Sequence, residues 1–258
     1  MLYEVLVICA LMALLSIDVR TIGGTLISRP LVVAPLTGWI LGDIQTGFMV
    51  AYFIELVWVG MLPVGAYLPV EALPVTVIAT FFASHMAAVD RSSSEAIIMF
   101  AIMISIPFGF MSRWLESHIR ELNSKLSEKL EDQFSGERLP DIALVQYANI
   151  GLSFAKIFLV CFLPMYFGYD VISRIYGSLP ANITGGLLTA FYIAPLVGIA
   201  VVLDLFLLKK HVLHLLLAFF VSFILYYVFK VSPFIIMAVG VLAGIIVLKF
   251  FYKEETSV

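Results

Sequence analysis

The stretch "FIELVWVGMLPVGAYLPVEALPVTVIATF", residues 53–81, combines an apolar segment with two carboxylates, three prolines and two glycines. A straight helix through it would lose backbone hydrogen bonds at its prolines, so the sequence predicts a helix break near residues 55–75. Broken backbone at membrane depth is tolerated only inside protein or along a water-filled cavity, where transporters use it to contact substrate. We therefore expect Glu55 and Glu71 to face whatever enters the break.

The composition places most of the chain in a membrane. Hydrophobic residues make up 62% of the sequence and charged residues 13%, and the mean hydropathy is +1.07. These values lie far outside the usual balance for soluble domains. The apolar runs are continuous and do not alternate with polar residues as barrel strands do. The sequence therefore predicts an all-α, polytopic membrane protein that forms a single domain over residues 1–258.

The apolar runs set the expected number of membrane spans. Most are close to the ~20 residues that a spanning helix needs, so they predict about eight spans. The runs lie at about 1–20, 31–50, 51–89, 95–112, 142–168, 183–208, 211–229 and 233–252. The run at 51–89 contains the expected break.

Residues 113–141 form a polar connection that carries 12 of the chain's 33 charged residues. Leu115, Ile119, Leu122, Leu126 and Leu130 recur there at helical spacing. Two pairs stand four residues apart, Glu116 with Arg120 and Glu121 with Lys125, which favours an amphipathic surface helix. Lys and Arg collect here and in two later clusters, at residues 209–210 and 249–253, so the positive-inside rule places this connector and the C-terminus in the cytoplasm.

The interval between Arg29 and Arg91 has no Lys or Arg, and Asp43, Glu55 and Glu71 fall within it. An intramembrane carboxylate costs about 2.5–3.5 kcal/mol at a helix centre on insertion scales, so a cavity, ligand or partner usually satisfies it. We expect these acids to have too few internal basic partners. Asp43 has an alternative interpretation as a turn residue, because the neighbouring glycines suit a helix end.

Two aromatic residues accompany the acids. Trp58 lies three residues after Glu55 on the same helical face, and Tyr67 lies within the expected break. Flat apolar rings beside hydrogen-bond acceptors suit a sugar. Aromatic residues near a membrane also serve as interfacial or packing residues, so this alternative stays open. Asp43, Glu55, Trp58, Tyr67 and Glu71 are the candidate substrate-binding residues.

Other kinds of site find no support in the sequence. A net charge of −3 excludes a basic nucleic-acid surface, so nucleic acid is not expected as a partner. Cys9 and Cys161 stand singly in apolar runs, which favours packing over metal or disulfide chemistry. The four histidines have no catalytic or metal-ligand spacing, and no phosphate-binding loop is present. We expect no catalytic residue, no metal and no cofactor.

The motifs of the first third resemble a known family. "RPLVVAPLTGWILGDIQTGFMVAYFIELVWVGMLPVGAYLPVEA", residues 29–72, is similar to the N-terminal region of the IIC permease subunit of the mannose and sorbose family of the bacterial sugar phosphotransferase system. The family shares the opening "RPL", the "LGD" followed by "TG", and a Glu-containing helix that leads into a "G…GA" break and an acid. The later stretch "LPANITGGLLTAFYIAPLVGIAVVL", residues 179–203, resembles a second helix of the family.

The resemblance implies a function and a set of partners. It implies a sugar permease of the bacterial cytoplasmic (inner) membrane that works with a second membrane subunit, IID, in a higher-order IIC–IID oligomer surrounded by lipid. Cytoplasmic IIA and IIB proteins would carry the phosphate, and IIB would phosphorylate the sugar, so this chain would not itself be an enzyme. The chain has Met61 and Pro63 where the family commonly has Trp and Asn, and Glu71 where Asp is usual. The resemblance therefore implies no particular sugar.

Two alternatives to a phosphotransferase permease remain at this point. In one, Glu55 and Glu71 carry protons or cations in an independent secondary transporter, because membrane carboxylates often form relays. In the other, the chain is a membrane scaffold or regulatory subunit without transport, which the absence of the usual Asn permits.

Overall fold

The computed structural model describes residues 1–18, 25–61, 68–89, 94–134, 142–206, 220–222, 224–226 and 230, and these contain helices but no strand. This confirms the predicted all-α class. Eight helices are assigned within the described residues. They are α1 (Leu2–Ser16), α2 (Pro30–Ile40), α3 (Ile44–Trp58), α4 (Ala72–Val89), α5 (Ser94–Phe134), α6 (Ile142–Phe167), α7 (Tyr169–Gly177) and α8 (Ala181–Phe206).

The chain divides into two compact units, Met1–Val202 and Leu203–Val258. The predicted span at 233–252 lies outside the described residues, and of the span at 211–229 only residues 220–222 and 224–226 are described. The assignment of residues 1–258 to a single domain stays a prediction.

Three of the described helices are long and apolar enough to cross a membrane: Ser94–Lys125, Gln146–Phe167 and Ala181–Val201. They correspond to the predicted spans at 95–112, 142–168 and 183–208. Four further apolar helices are shorter, and they are Leu2–Ser16, Pro30–Ile40, Ile44–Trp58 and Ala72–Ala88. The described residues therefore support a multi-pass membrane protein, while the count of about eight spans is not confirmed.

The run at 31–50 is not one helix, contrary to the sequence prediction. The helix α2 ends at Ile40 after 11 residues, and α3 begins at Ile44. Eleven residues span only about 16 Å, roughly half of the hydrocarbon core. The chain turns at Gly42, whose φ of +76° suits glycine, and the Asp43 side chain then accepts a hydrogen bond from Thr46 N at 3.2 Å. This turn agrees with the alternative interpretation of Asp43 as a turn residue, whereas the continuous apolar run predicted one span.

The helix α4 lies at the centre of the first unit. It packs most extensively against α5 and also contacts α1, α2, α3 and α6. Its residues are buried nearly all round, with Ile78, Phe81 and Phe82 almost fully inaccessible. The Thr76 and Thr80 hydroxyls donate to carbonyls one turn earlier, so burial leaves neither hydroxyl unsatisfied. A helix that is apolar on every side is expected at such a central position.

The helix α5 extends without interruption from Ser94 to Phe134. It merges the span predicted at 95–112 with the first part of the connector predicted at 113–141, and its 41 residues cover about 60 Å. Both predicted ion pairs are confirmed, with Arg120 Nε 3.2 Å from Glu116 Oε1 and Lys125 Nζ 2.8 Å from Glu121 Oε1. The prediction that Glu116 belongs to a solvated connector is wrong, because its side chain is only 6% exposed.

Gly109 allows α5 to approach the start of α4 closely. A Cβ atom at this position would stand 2.5 Å from Val75 Cγ2, 2.9 Å from Val70 Cγ1 and 3.0 Å from the Glu71 carbonyl oxygen. Two of these neighbours belong to the segment just before α4. The absent side chain therefore helps to fix where that segment lies.

We expect Gly109→Ala to lower the free energy of unfolding by about 1–3 kcal/mol, because the added methyl group overpacks a filled contact. Thermal unfolding in detergent measures the effect. The matched control is Gly151→Ala in α6, where no other described residue lies within 4 Å of the new Cβ. That control should be neutral or slightly stabilising, because alanine is the better helix former. Equal stability of the two variants would show that the α4–α5 contact has room to spare.

Candidate functional site

The helix break predicted near residues 55–75 is present in the structure. The helix α3 ends at Trp58 and α4 begins at Ala72. The described residues between them, 59–61 and 68–71, are not helical. Trp58 Nε1 donates a hydrogen bond to the Val70 carbonyl oxygen at 2.8 Å, which ties the end of α3 to the segment that enters α4. The indole thus satisfies a carbonyl that the interrupted helix leaves without a helical partner.

A cavity of about 180 Å³ lies beside the break. Trp58 and Met61 contribute to its apolar wall. Its polar lining comes from four other parts of the chain, because α1, the start of α2, the start of α4 and α6 meet here. These polar residues are Ser16, Ser28, Arg29, Glu71, Ser153 and Lys156. The cavity therefore presents hydroxyl groups and both signs of charge in a largely apolar surrounding.

A buried lysine neutralises the acid at this cavity. Lys156 Nζ lies 2.6 Å from Glu71 Oε1 and 3.1 Å from Glu116 Oε2, and the lysine side chain is 2% exposed. One ammonium group thus bridges a carboxylate from the segment before α4 and a carboxylate from α5. Buried charges are stable only when they are paired in this way, because desolvation of an unpaired ion costs several kcal/mol.

The helix α5 supplies a polar stripe to the same cluster. Ser112 Oγ donates to Glu71 Oε2, Glu116 meets Lys156, and Arg120 Nε donates to Glu116 Oε1 at 3.2 Å. The three α5 residues are spaced four apart, so they share one helical face. The stripe runs from the cavity acid toward an arginine whose side chain is 53% exposed. Two carboxylates and two cations, Glu71, Glu116, Lys156 and Arg120, sum to zero charge.

Glu55 has a partner of its own. Arg29 Nη1 lies 3.4 Å from Glu55 Oε1, and Leu31 N donates to Glu55 Oε2 at 3.3 Å. The carboxylate thus stands at the N-terminus of α2, where the helix dipole favours negative charge. Arg29 lines the cavity, while Glu55 does not. Glu55 therefore influences the cavity only indirectly, by orienting Arg29.

The other predicted site residues take separate positions. Asp43 caps α3 at the end opposite Glu55, which agrees with the turn interpretation. Trp58 lines the cavity by its ring while its N–H is held by the backbone. Tyr67 lies outside the described residues. The structure thus brings Glu71 and Trp58 to one cavity and leaves Asp43 away from it.

The expectation that the acids have too few internal basic partners is wrong. Glu55 pairs with Arg29, and Glu71 pairs with Lys156, which is 85 residues away in sequence. Sequence reasoning did not single out Lys156, although a usable signal exists. A lone lysine within the apolar run at 142–168 costs as much to insert as a lone acid, so it calls for a buried anion.

Comparison with known families shows what kind of protein carries this arrangement. The sequence model of the family described as the sorbose-specific IIC component of the phosphotransferase system matches residues 2–248. The chain belongs to this family. Membership in the sorbose-specific IIC family confirms the resemblance found in residues 29–72 and 179–203.

Individual relatives agree with the sorbose-specific IIC family, and a solved structure shares the fold. The N-acetylgalactosamine permease IIC component 1 of Escherichia coli (strain K12) is 25% identical over 229 residues, covering 88% of this chain and 80% of that protein. The sorbose-specific EIIC component of Klebsiella pneumoniae is 24% identical over 197 residues, covering 76% and 70%. A solved structure described as a membrane protein aligns with a TM-score of 0.67 at 19% identity over 97% of this chain and 94% of its own. This last likeness shows a shared fold.

Family membership fixes the general role of the chain. Proteins of the sorbose-specific IIC family are permease components, so this chain is a transport subunit of a sugar phosphotransferase system rather than a catalyst. The apolar helices agree that it is a multi-pass membrane protein. The alternatives of a secondary transporter or a scaffold without transport are not favoured by these relatives.

Proposed function

We propose that this chain binds a hexose or a related sugar in the cavity beside the helix break and translocates it for phosphorylation. The observation that supports this most is the placement of Glu71, whose carboxylate lines the cavity within hydrogen-bond distance of Lys156. An ionised carboxylate is a strong acceptor for sugar hydroxyl groups. The relatives named for N-acetylgalactosamine and sorbose support a substrate of this class.

The charge balance of the cavity suits an uncharged ligand. Arg29 is paired with Glu55, and Lys156 is shared between two acids. A neutral sugar would exchange hydrogen bonds with these groups without adding a net charge to a dry site, and burying a net charge there would be costly. The Trp58 ring adds a flat apolar surface, which suits the C–H face of a sugar ring. Glu55, Asp43 and Tyr67 stay predicted contributors.

The proposed partners follow from the family. We propose a IID membrane subunit in a higher-order IIC–IID oligomer of the bacterial inner membrane, with cytoplasmic IIA and IIB proteins as phosphocarriers. IIB would transfer the phosphoryl group to the sugar that this chain delivers. Gly185 and Gly186 in α8 support a close partner contact, because nothing within the described residues lies within 4 Å of a Cβ at either position.

A binding and uptake experiment tests the proposed function. The IIC–IID complex should bind at least one of three sugars, N-acetylgalactosamine, sorbose or mannose, by isothermal calorimetry. Uptake of that sugar into cells should require phosphoenolpyruvate, IIB and IID together. Robust uptake without IID, or uptake that persists without phosphoenolpyruvate and collapses with an ionophore, would overturn the proposal in favour of an independent transporter.

Cysteine labelling tests the proposed membrane orientation. We expect cysteines introduced at Ser124, which is exposed on α5, and at Ser257, which lies outside the described residues, to be protected from an impermeant maleimide in intact cells. Both should react after permeabilisation, because the basic clusters place both segments in the cytoplasm. The native Cys9 and Cys161 are buried, so they give little background. Reaction of the two sites from opposite sides would refute the shared orientation.

A further inference from the structure

The bridge between two acids gives Lys156 a property that sugar binding alone does not require. Its ammonium lies 2.6 Å from Glu71 Oε1, at the cavity, and 3.1 Å from Glu116 Oε2, on α5. The Lys156 and Glu116 side chains are 2% and 6% exposed, whereas the Glu71 side chain is 21% exposed. Water therefore screens the interaction with Glu116 little, and the two carboxylates compete for one cation.

Glu116 on α5 links the Lys156 ammonium to the surface of the protein. Glu116 is shared in turn with Arg120, whose side chain is 53% exposed. The helix α5 is about 60 Å long, roughly twice the thickness of a hydrocarbon core, so its C-terminal part extends out of the membrane. An unbroken chain of ion pairs thus joins the cavity to the part of α5 that approaches water.

We propose that Lys156 is a positioning residue that links the orientation of Glu71 in the cavity to helix α5 through Glu116. Glu116 draws the ammonium partly away from Glu71, which leaves lone pairs of Glu71 available to ligand hydroxyl groups. Ligand bound to Glu71 shifts the Lys156 ammonium toward Glu116. The stronger interaction between Lys156 and Glu116 then weakens the one between Glu116 and Arg120. The inference rests on the proposed sugar site and adds to it a coupling between that site and α5.

The coupling predicts opposite effects at two positions that do not line the cavity. In Glu116→Gln the Lys156 ammonium loses its charged partner on α5 and binds Glu71 more strongly. Ligand hydroxyl groups then compete with a stronger ion pair for the Glu71 carboxylate, and sugar binding weakens about three- to tenfold. In Arg120→Gln the Glu116 carboxylate no longer pairs with Arg120 and binds the Lys156 ammonium more strongly, so sugar binding tightens about two- to threefold. Damage to the fold would weaken binding in both variants, so opposite signs separate coupling from damage.

A double-mutant cycle tests the proposal on the IIC–IID complex by calorimetry. The ligand is whichever of N-acetylgalactosamine, sorbose and mannose the unmodified complex binds. In the Glu71→Gln background, Glu116→Gln should change the dissociation constant by less than about twofold, because the shared ammonium no longer has a charged partner in the cavity. Glu116→Asp, which keeps the charge, should stay within about threefold of the parent.

Matched measurements make each outcome decisive. The control Glu121→Gln removes an exposed α5 acid that pairs with Lys125, and it should leave binding unchanged. Each complex is first compared with the parent for unfolding temperature and IIC–IID stoichiometry, and Arg120→Gln carries the test where Glu116→Gln does not assemble. An unchanged affinity in Glu116→Gln, an equal effect in both backgrounds, or an unchanged or weaker affinity in Arg120→Gln would overturn the coupling. If the parent complex binds none of the three sugars, the proposed function fails and the coupling fails with it.

Discussion

Replacing Lys156 with methionine should lower the free energy of unfolding by about 3–5 kcal/mol, the usual loss when one partner of a buried ion pair is removed. The substitution keeps the volume of the side chain and deletes its charge. Glu71 and Glu116 would then face each other across a poorly hydrated space without the cation that now bridges them. Thermal and denaturant unfolding of the purified complex in detergent measures the loss.

Two comparisons isolate the buried charge. Lys125→Met removes a lysine from an ion pair of similar length, 2.8 Å, whose side chains are both more than 60% exposed, so it should cost less than about 1 kcal/mol. The triple variant Lys156→Met, Glu71→Gln, Glu116→Gln should recover most of the stability, because it leaves no uncompensated buried charge. Arg120 loses its partner Glu116 in this variant, but its side chain is 53% exposed and stays solvated. A Lys156→Met protein as stable as the parent would mean that water or another cation reaches the two acids.

Replacing Glu71 with glutamine should weaken sugar binding to the complex about ten- to a hundredfold, because hydrogen bonds to a charged acceptor are worth about 1.5–3 kcal/mol. The substitution keeps the shape of the side chain. The loss should appear in calorimetry and, at subsaturating sugar, in uptake. Glu55→Gln should also weaken binding, by loosening Arg29 at the cavity wall, although Glu55 itself does not line the cavity.

The control for these acids is Glu121→Gln, which removes an exposed carboxylate from α5 and should leave affinity unchanged. Expression, assembly with IID and unfolding temperature need to match the parent before affinities are compared. If Glu71→Gln bound the sugar as tightly as the parent, the carboxylate would serve only to neutralise Lys156. The sugar site would then have to be sought elsewhere in the membrane domain.

Local features were readable from the sequence because they depend on neighbours along the chain. The prolines and glycines gathered in one short tract predicted the break between Trp58 and Ala72, since a proline in a helix interior removes a helical hydrogen bond. The pair Glu121 and Lys125 followed from the helical repeat. The turn at Gly42 was predicted only as an alternative, from Asp43 and its neighbouring glycines, because a single residue with positive φ hardly changes the apolar pattern that predicted one span.

The sequence by itself determined the helical class, the membrane environment, the break and the family, because composition, spacing and motif survive in any arrangement of the helices. Only the tertiary structure decided which charges meet. Lys156 reaches Glu71 across 85 residues and Glu116 across 40, and Arg29 reaches Glu55 across a turn that brings α2 beside α3. In a poorly hydrated interior each charge must pair with an opposite charge. The sequence does not say which residue will be the partner, because that depends on how the helices pack around α4.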